Sequence, residues 1–138
     1  MDPADLVATM PFAVHTGVRL TKAAPEEVVG HLEWDQHRTT AGSGMHGGAL
    51  MTLADSVGAV CAFLNLPAGA STSTTSSSTV FTRGVRKGTV TATARPLHAG
   101  RTTVAVVTEL RDDEHRLVAQ VTQSQACLLY TSPSPRDS

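Results

Sequence analysis

The residue with the clearest chemical potential is Asp55, the only Asp, Glu, Lys or Arg between Arg38 and Arg83. It lies within a long apolar stretch that predicts a buried helix, and no cation lies three or four residues away on either side. An unpaired carboxylate in such a place costs several kcal/mol, roughly, unless water or a polar partner reaches it. Two interpretations stay open: a structural acid capped by the hydroxyls of Thr52 and Ser56, or a reactive carboxylate in a groove between small side chains.

The start of the same helix has the sequence His46-Gly47-Gly48. Two glycines leave backbone N–H groups unshielded at the positive end of the helix dipole. Such an end can hold a carbonyl oxygen as it becomes an oxyanion, and one such donor is worth about 100- to 1,000-fold in rate. Close packing at a helix start is the structural alternative. Together with Asp55, the segment indicates chemistry on a carbonyl group.

The elements that position these residues follow from hydrophobic periodicity and turn residues. Asp2 and Pro3 predict a short helix that ends at Pro11, and residues 45–66 predict the long helix. Strands are predicted over residues 14–23, 27–34, 71–79, 88–95, 101–111 and 117–129. The Ser/Thr run 71–79 has the composition of a linker, but threonine favours strands. The predicted fold class is α+β, with one long buried helix against five or six mainly antiparallel strands.

Length and composition exclude several classes of function. The 138 residues suit one domain, and the formal net charge of −1 gives no electrostatic case for nucleic acid or an anionic membrane. We expect no apolar run as long as a membrane span, and the acidic N-terminus lacks the bases of a signal peptide. Cys61 and Cys127 are too few for a disulfide framework. The histidines lack metal spacing, and no phosphate loop or dinucleotide fingerprint is present. We therefore expect a cytoplasmic protein without a metal or a resident cofactor.

Residues 46–55 (HGGALMTLAD) resemble the HGG-x4-L-A-(D/E) signature of hotdog-fold acyl-CoA thioesterases. The resemblance is to the phenylacetic-acid-degradation (PaaI-like) and 4-hydroxybenzoyl-CoA thioesterase type. The order of predicted elements agrees from residue 11 to about residue 129. The resemblance implies a hotdog fold over residues 1–129, in which a curved antiparallel sheet wraps the long helix. It also implies a homodimer, often a dimer of dimers and thus a homotetramer, with sites at the subunit interface.

The resemblance also assigns roles within the motif. Asp55 matches the catalytic carboxylate, which acts as nucleophile on the thioester carbonyl or as general base for water. Gly47, with Gly48 beside it, matches the helix-terminal amide that polarises the carbonyl, and His46 matches a residue that helps to hold substrate or the motif loop. A thiolate is a good leaving group, so a carboxylate and one oxyanion donor can suffice.

Three further positions bear on the water and the substrate. Thr40 stands where the family often has an Asn or Gln that positions the attacking water. Ala59 stands where some members have Ser or Thr. Thr74, or Ser73 beside it, matches a strand hydroxyl that helps to orient water in some members.

Two polar segments match coenzyme A-binding parts of the family, whose ligand carries phosphates that need cations. For any one charge in the basic segment 83–88, a solvated turn is the favoured interpretation. The residues concerned are Arg83, Arg86, Lys87, Arg101, Thr102 and Thr103.

The function implied is hydrolysis of a small, medium-chain or aryl acyl-CoA to the free acid and CoA, with CoA entering as part of the substrate. The alternatives are a non-catalytic acyl-CoA-binding module on the same scaffold and a hotdog hydratase or dehydratase.

Residues 130–138 have no apolar period and two prolines, which predicts disorder. They resemble translated adapter sequence foreign to the natural protein, and no function is assigned to them.

Overall fold

The computed structural model describes residues 2–129, so the predicted disordered tail 130–138 lies outside the described residues. A short 3₁₀ turn, Gln36–Arg38, precedes the long helix. The helices are α1 (Pro3–Ala8), α2 (Pro11–Thr16) and α3 (Gly47–Leu64). The strands are β1 (Arg19–Ala24), β2 (Glu27–Glu33), β3 (Ala70–Phe81), β4 (Thr89–Ala99), β5 (Thr103–Arg111) and β6 (Leu117–Leu129).

One antiparallel sheet of six strands, in the order β1-β2-β4-β5-β6-β3, packs against α3. The contact is apolar, because strand side chains alternate between faces and every second one meets the helix. Fully buried residues from both layers form this core: Leu53, Val57, Cys61, Val28, Leu32, Val90, Val104, Val106 and Leu110. The predicted α+β class is confirmed, with six strands.

Helix α3 is by itself long and apolar enough to cross a membrane, contrary to the expectation that no such run exists. Half of the helix is buried inside the molecule. Its apolar composition is therefore explained by its position under the sheet.

The prediction of a strand over residues 14–23 is wrong in its first half, because α2 occupies residues 11–16. Pro11 takes the first position of this helix, where its missing N–H costs nothing. Gly17 then ends the helix with a left-handed φ of 104°, a conformation that favours glycine. Proline thus ends one helix and begins the next, and β1 starts only at Arg19.

Strand β3 forms one edge of the sheet and pairs with β6 alone among the described strands. Its side chains over residues 73–78 are all exposed. The prediction that the Ser/Thr run is a strand is confirmed. Its polar composition is accounted for because little of the strand is covered within one chain.

Candidate active site

Asp55 lies on the side of α3 that faces β3 and β6, and its side chain is exposed. Its Oδ1 accepts a hydrogen bond of 3.0 Å from the hydroxyl of Thr74 and one of 2.6 Å from Nε2 of Gln123. No residue in the range 2–129 donates to its Oδ2. The expectation that α3 buries Asp55 is wrong for the single chain, because the sheet ends at β3 and leaves this side of the helix open.

The two hydroxyls expected to cap Asp55 in the structural interpretation have other partners. The Thr52 hydroxyl donates to the carbonyl of Gly48 at 2.9 Å, and the Ser56 hydroxyl donates to the carbonyl of Thr52 at 2.6 Å. Both bonds return to the helix backbone four residues earlier, a common arrangement for hydroxyls in helices. They do not satisfy the carboxylate.

The strand hydroxyl near Asp55 belongs to Thr74. In the register of β3 against β6, Thr74 lies opposite Gln125 and Ser73 lies opposite Ala126. Successive strand residues point to opposite faces, so only one of the two can face α3. Of the two residues that the sequence left open, Thr74 is the one that contacts Asp55.

Gln123 is a site residue that the sequence analysis missed. It is 1% exposed, and Gln125 on the same face of β6 is equally buried. They lie two and four residues after the buried Val121, on the same face of β6, where apolar residues are expected. An amide at such a position needs a buried polar partner, and that requirement is the signal that could have identified it.

His46 caps the start of α3. Its Nδ1 accepts a hydrogen bond of 2.8 Å from the N–H of Gly48. A backbone N–H can only donate, so the ring proton is on Nε2 in this arrangement.

The N–H of Gly47 has no acceptor among the described residues. The ring of Phe81 lies beside this residue: a Cβ on residue 47 would be 3.4 Å from Phe81 Cζ. Gly47 therefore presents a free donor at the positive helix end.

Asp55 opens into a cleft of about 520 Å³ between α2, α3 and β3. The cleft is lined mainly by apolar side chains, with the carboxylate as its charged group. The apolar members near Asp55 are Met10, Phe12, Met51, Ala59 and Val121. Such a lining suits an uncharged acyl group.

A second hollow, on the other side of Phe12, contains the start of α3, with His46, Gly48 and Ala49 in its wall. Gly47 and Asp55 are eight residues apart on one helix, which places them about 12 Å apart along its axis. The free N–H and the carboxylate of one chain therefore cannot reach the same carbonyl group.

Thr40 lies near the start of α3 and away from Asp55. It is exposed in the turn before α3, where its N–H donates to the carbonyl of Gly44 at 2.8 Å. The adjoining residue Thr39 pairs with Met45, which immediately precedes the helix cap.

The basic segment before β4 also flanks the start of α3, because the N–H of Met45 donates to the carbonyl of Val85 at 2.7 Å. Its side chains Arg83, Arg86 and Lys87 are all exposed. Arg86 and Lys87 share a surface hollow with three carboxyl side chains of the β5–β6 turn: Asp112, Asp113 and Glu114. These acids reduce the local positive charge.

The other segment, Arg101, Thr102 and Thr103, lies at the opposite end of the sheet. The carbonyl of Thr102 accepts from the N–H of Cys127 at 2.8 Å, near the end of β6 that pairs with the beginning of β3. The start of α3 lies instead at the far end of β3, beside its last residue. One chain does not bring the two segments together.

Cys61 does not provide a thiol nucleophile, and the described residues contain no metal-binding cluster. Cys61 is fully buried in the core, and burial raises the pKa of its thiol to about 11, so it stays protonated at neutral pH. Within residues 2–129, no group of three His, Cys, Asp or Glu side chains is placed to hold a metal ion. Asp55 is the charged side chain that lines the cleft.

The Thioesterase superfamily profile matches residues 42–119 of this chain, which is more than half of it and includes the α3 motif. A presumed esterase of Mycobacterium tuberculosis, Rv1847, is 30% identical over 121 residues, a span that covers 86% of each protein. Its solved structure has a TM-score of 0.84 over 90% of this chain and 100% of its own, at 26% identity.

Two further solved structures are similar. A single-residue variant of thioesterase PA1618 from Pseudomonas aeruginosa has a TM-score of 0.87 at 25% identity, over 93% of this chain and 94% of its own. A phenylacetic acid degradation-related protein of Ralstonia eutropha, described as a presumed thioesterase, has a TM-score of 0.77 at 26% identity, over 85% and 89% of the two chains.

The fold and the motif thus define a hotdog-type thioester hydrolase. The chain belongs to the thioesterase superfamily, which confirms the hotdog-fold thioesterase expected from residues 46–55. The acyl-CoA substrate and the PaaI-like type stay predictions.

Proposed function

We propose that this protein hydrolyses acyl-CoA thioesters to the free acid and CoA, with Asp55 as the catalytic residue. The observation that supports this most is the Asp55 carboxylate itself. It is exposed to an apolar cleft, one of its oxygens accepts two hydrogen bonds, and the other accepts none from the described residues. A binding module has no use for such a carboxylate next to an acyl group, and this disfavours the non-catalytic alternative.

The chemistry can follow either of two routes from this geometry. As nucleophile, Asp55 attacks the thioester carbonyl, the C–S bond breaks, CoA leaves as its thiolate, and water then hydrolyses the mixed anhydride. As general base, Asp55 takes a proton from a water molecule whose oxygen attacks the carbonyl, and the C–S bond breaks from the tetrahedral intermediate. Both routes place negative charge on the carbonyl oxygen, which requires a hydrogen-bond donor.

We place that donor, the N–H of Gly47, on a second copy of the chain. Within one chain Gly47 is about 12 Å along α3 from Asp55. An antiparallel pairing of β3 with the β3 of a partner subunit would carry the partner's helix start, which adjoins the end of its own β3, toward the beginning of the first β3. The proposed enzyme is therefore at least a homodimer.

The same pairing accounts for the two polar segments. Arg83, Arg86 and Lys87 lie near the start of α3, whereas Arg101, Thr102 and Thr103 lie at the opposite end of the sheet. A two-fold arrangement brings opposite ends of two copies together. We propose that the two segments contact one CoA from different subunits, while the acyl group enters the cleft beside Met10 and Phe12. Thr40 and His46 would lie on the same side of the site as the donor.

The test is release of free CoA from acetyl-, hexanoyl- and benzoyl-CoA, followed with a thiol-reactive dye. We expect turnover of at least one ester, and a loss of at least about 100-fold in kcat for Asp55→Asn, because the amide can neither attack nor accept a proton. Circular dichroism should show that the variant is folded, since Asp55 is exposed. The matched control is Glu26→Gln, an exposed carboxylate in the β1–β2 turn, which should keep the wild-type rate. Equal rates for Asp55→Asn and the wild type would refute the proposal.

A further inference from the structure

Four polar side chains of β3 and β6 form hydrogen bonds that lead to the candidate catalytic carboxylate. In each bond the donor points toward Asp55. Thr72 donates to Oε1 of Gln125 at 3.1 Å, and Nε2 of Gln125 donates to the hydroxyl of Thr74 at 2.8 Å. Thr74 in turn donates to Oδ1 of Asp55 at 3.0 Å. Gln123 donates to the same oxygen from the other side at 2.6 Å.

The direction of these bonds is fixed by chemistry. An ionised carboxylate can only accept, so the single hydroxyl proton of Thr74 must point at Asp55. Thr74 must then accept from an N–H, which requires the nitrogen of the Gln125 amide to face it. The oxygen of that amide is left to accept from Thr72. Turning either glutamine amide around would place two acceptors in contact, so the arrangement has one orientation.

The side chain of Gln123 packs tightly against α3 beside Asp55. It is 1% exposed, and its Oε1 is 2.1 Å from the position that a Cβ on residue 58 would take, so a side chain there would displace the amide. Its Oε1 has no hydrogen-bond partner among the described residues. The bond to Asp55 is thus the hydrogen bond that holds this amide.

We propose that Gln123 and Thr74 are positioning residues that bind Oδ1 of Asp55 and thereby hold Oδ2 toward the thioester, with Gln125 and Thr72 fixing Thr74. This inference rests on the proposed function. Two donors occupy the lone pairs of Oδ1, and Oδ2 keeps the reactive pair whether Asp55 acts as nucleophile or as base. The glutamines therefore act through Asp55 and do not touch the substrate.

The test compares variants in steady-state kinetics with the best of the CoA esters above. Gln123→Leu keeps the volume and removes the amide, and we expect kcat to fall about 10- to 100-fold, since a small misplacement of a reacting group costs up to that much. KM should change by less than about threefold, because ground-state binding of substrate is untouched. The matched control is Gln120→Leu, an exposed glutamine on the same strand, which should behave as the wild type.

A second pair of variants covers the case in which Gln123→Leu does not fold. Thr74 is exposed, so Thr74→Val should fold normally and lose kcat, whereas Thr74→Ser retains the hydroxyl and should recover most of the rate. Wild-type kcat in Gln123→Leu, or in Thr74→Val when the former is unfolded, would overturn the inference. So would equal rates for the Thr74→Val and Thr74→Ser variants.

Asp55→Asn, measured in parallel, separates this inference from the proposed function. If that variant is inactive while Gln123→Leu and Thr74→Val keep the wild-type kcat, the positioning role is wrong and the carboxylate mechanism stands. If Asp55→Asn is fully active, the mechanism itself is wrong and the positioning role falls with it.

Discussion

At the scale of single residues, His46 and Gly47 have different roles at the start of α3. The ring of His46 takes up the N–H of Gly48, as an Asn or Asp side chain does at other helix starts. Gly47 contributes an N–H that no described residue accepts. His46 thus has a defined structural role, and the substrate contact expected from the resemblance stays a prediction.

The cap predicts a measurable contribution to stability. His46→Ala should lower the free energy of unfolding by about 1 kcal/mol, because the N–H of Gly48 loses its acceptor. His46→Asn should lose less than the alanine variant, since asparagine is among the best capping residues. Urea denaturation at constant protein concentration measures both. Equal stability of the alanine variant and the wild type would show that the cap contributes nothing.

Sequence reasoning predicted Asp55 as an isolated charge and Gly47 as part of a glycine pair at a helix start, and the role of His46 came from the resemblance. It placed Asp55 in a buried position because helical periodicity reports how apolar a helix is and not where the sheet beneath it ends. It missed Gln123, whose role depends on a contact 68 residues away in sequence. Long-range pairs of this kind become visible only once strand register is known.

At the scale of elements, the distance between α3 and the sheet depends on small residues. Gly30 on β2 lies directly beneath the helix, where a Cβ would be 2.5 Å from Cγ2 of Val57 and 3.1 Å from the carbonyl oxygen of Arg19. Neither neighbour is the flexible end of a long side chain. The close packing of helix on sheet therefore requires glycine at this position.

Gly30→Ala should destabilise the protein by about 1–3 kcal/mol, because the added methyl group forces α3 away from β2. Gly84→Ala is the matched control: nothing lies within 4 Å of its added Cβ, so it should change stability by no more than about 0.5 kcal/mol. Thermal unfolding of the two variants beside the wild type makes the comparison. Similar melting temperatures for both variants would contradict the packing described here.

The long helix, β2 and the strands β4, β5 and β6 could be predicted, since their apolar periods are long and their turns carry clear signals. The prediction of β3 depended instead on the strand preference of threonine. The predicted helix 45–66 is two residues too long at each end, because His46 is a cap and Asn65 ends the helix. Helix α2 was missed because Phe12, Val14 and Thr16 favour strands by type. Proline at its first position and the left-handed Gly17 determined the outcome instead.

At the scale of the whole molecule, the unpaired edge of β3 and the separation of Gly47 from Asp55 lead to the same conclusion. Within residues 2–129, no strand covers the outer edge of β3, and a long open edge is a ready pairing surface. A site that needs both the carboxylate and the free N–H requires a second chain. The homodimer is part of the proposal, and the tetramer and the cytoplasmic location stay predictions.

The most direct test of this composite site uses two variants that are each defective in one half of it. Asp55→Asn removes the carboxylate. Gly47→Pro removes the N–H while keeping the helix, because proline is well tolerated at the first helical position, as at the starts of α1 and α2. Each variant alone should be nearly inactive toward acyl-CoA.

The two variants, carrying different affinity tags, are expressed together and the hybrid is purified through both tags. If Asp55 of one subunit works with Gly47 of the other, the hybrid dimer has one site with both residues intact and should recover about half of the wild-type activity. If each site were built within one chain, both sites of the hybrid would carry a defect. A hybrid no more active than its two parents would contradict the account.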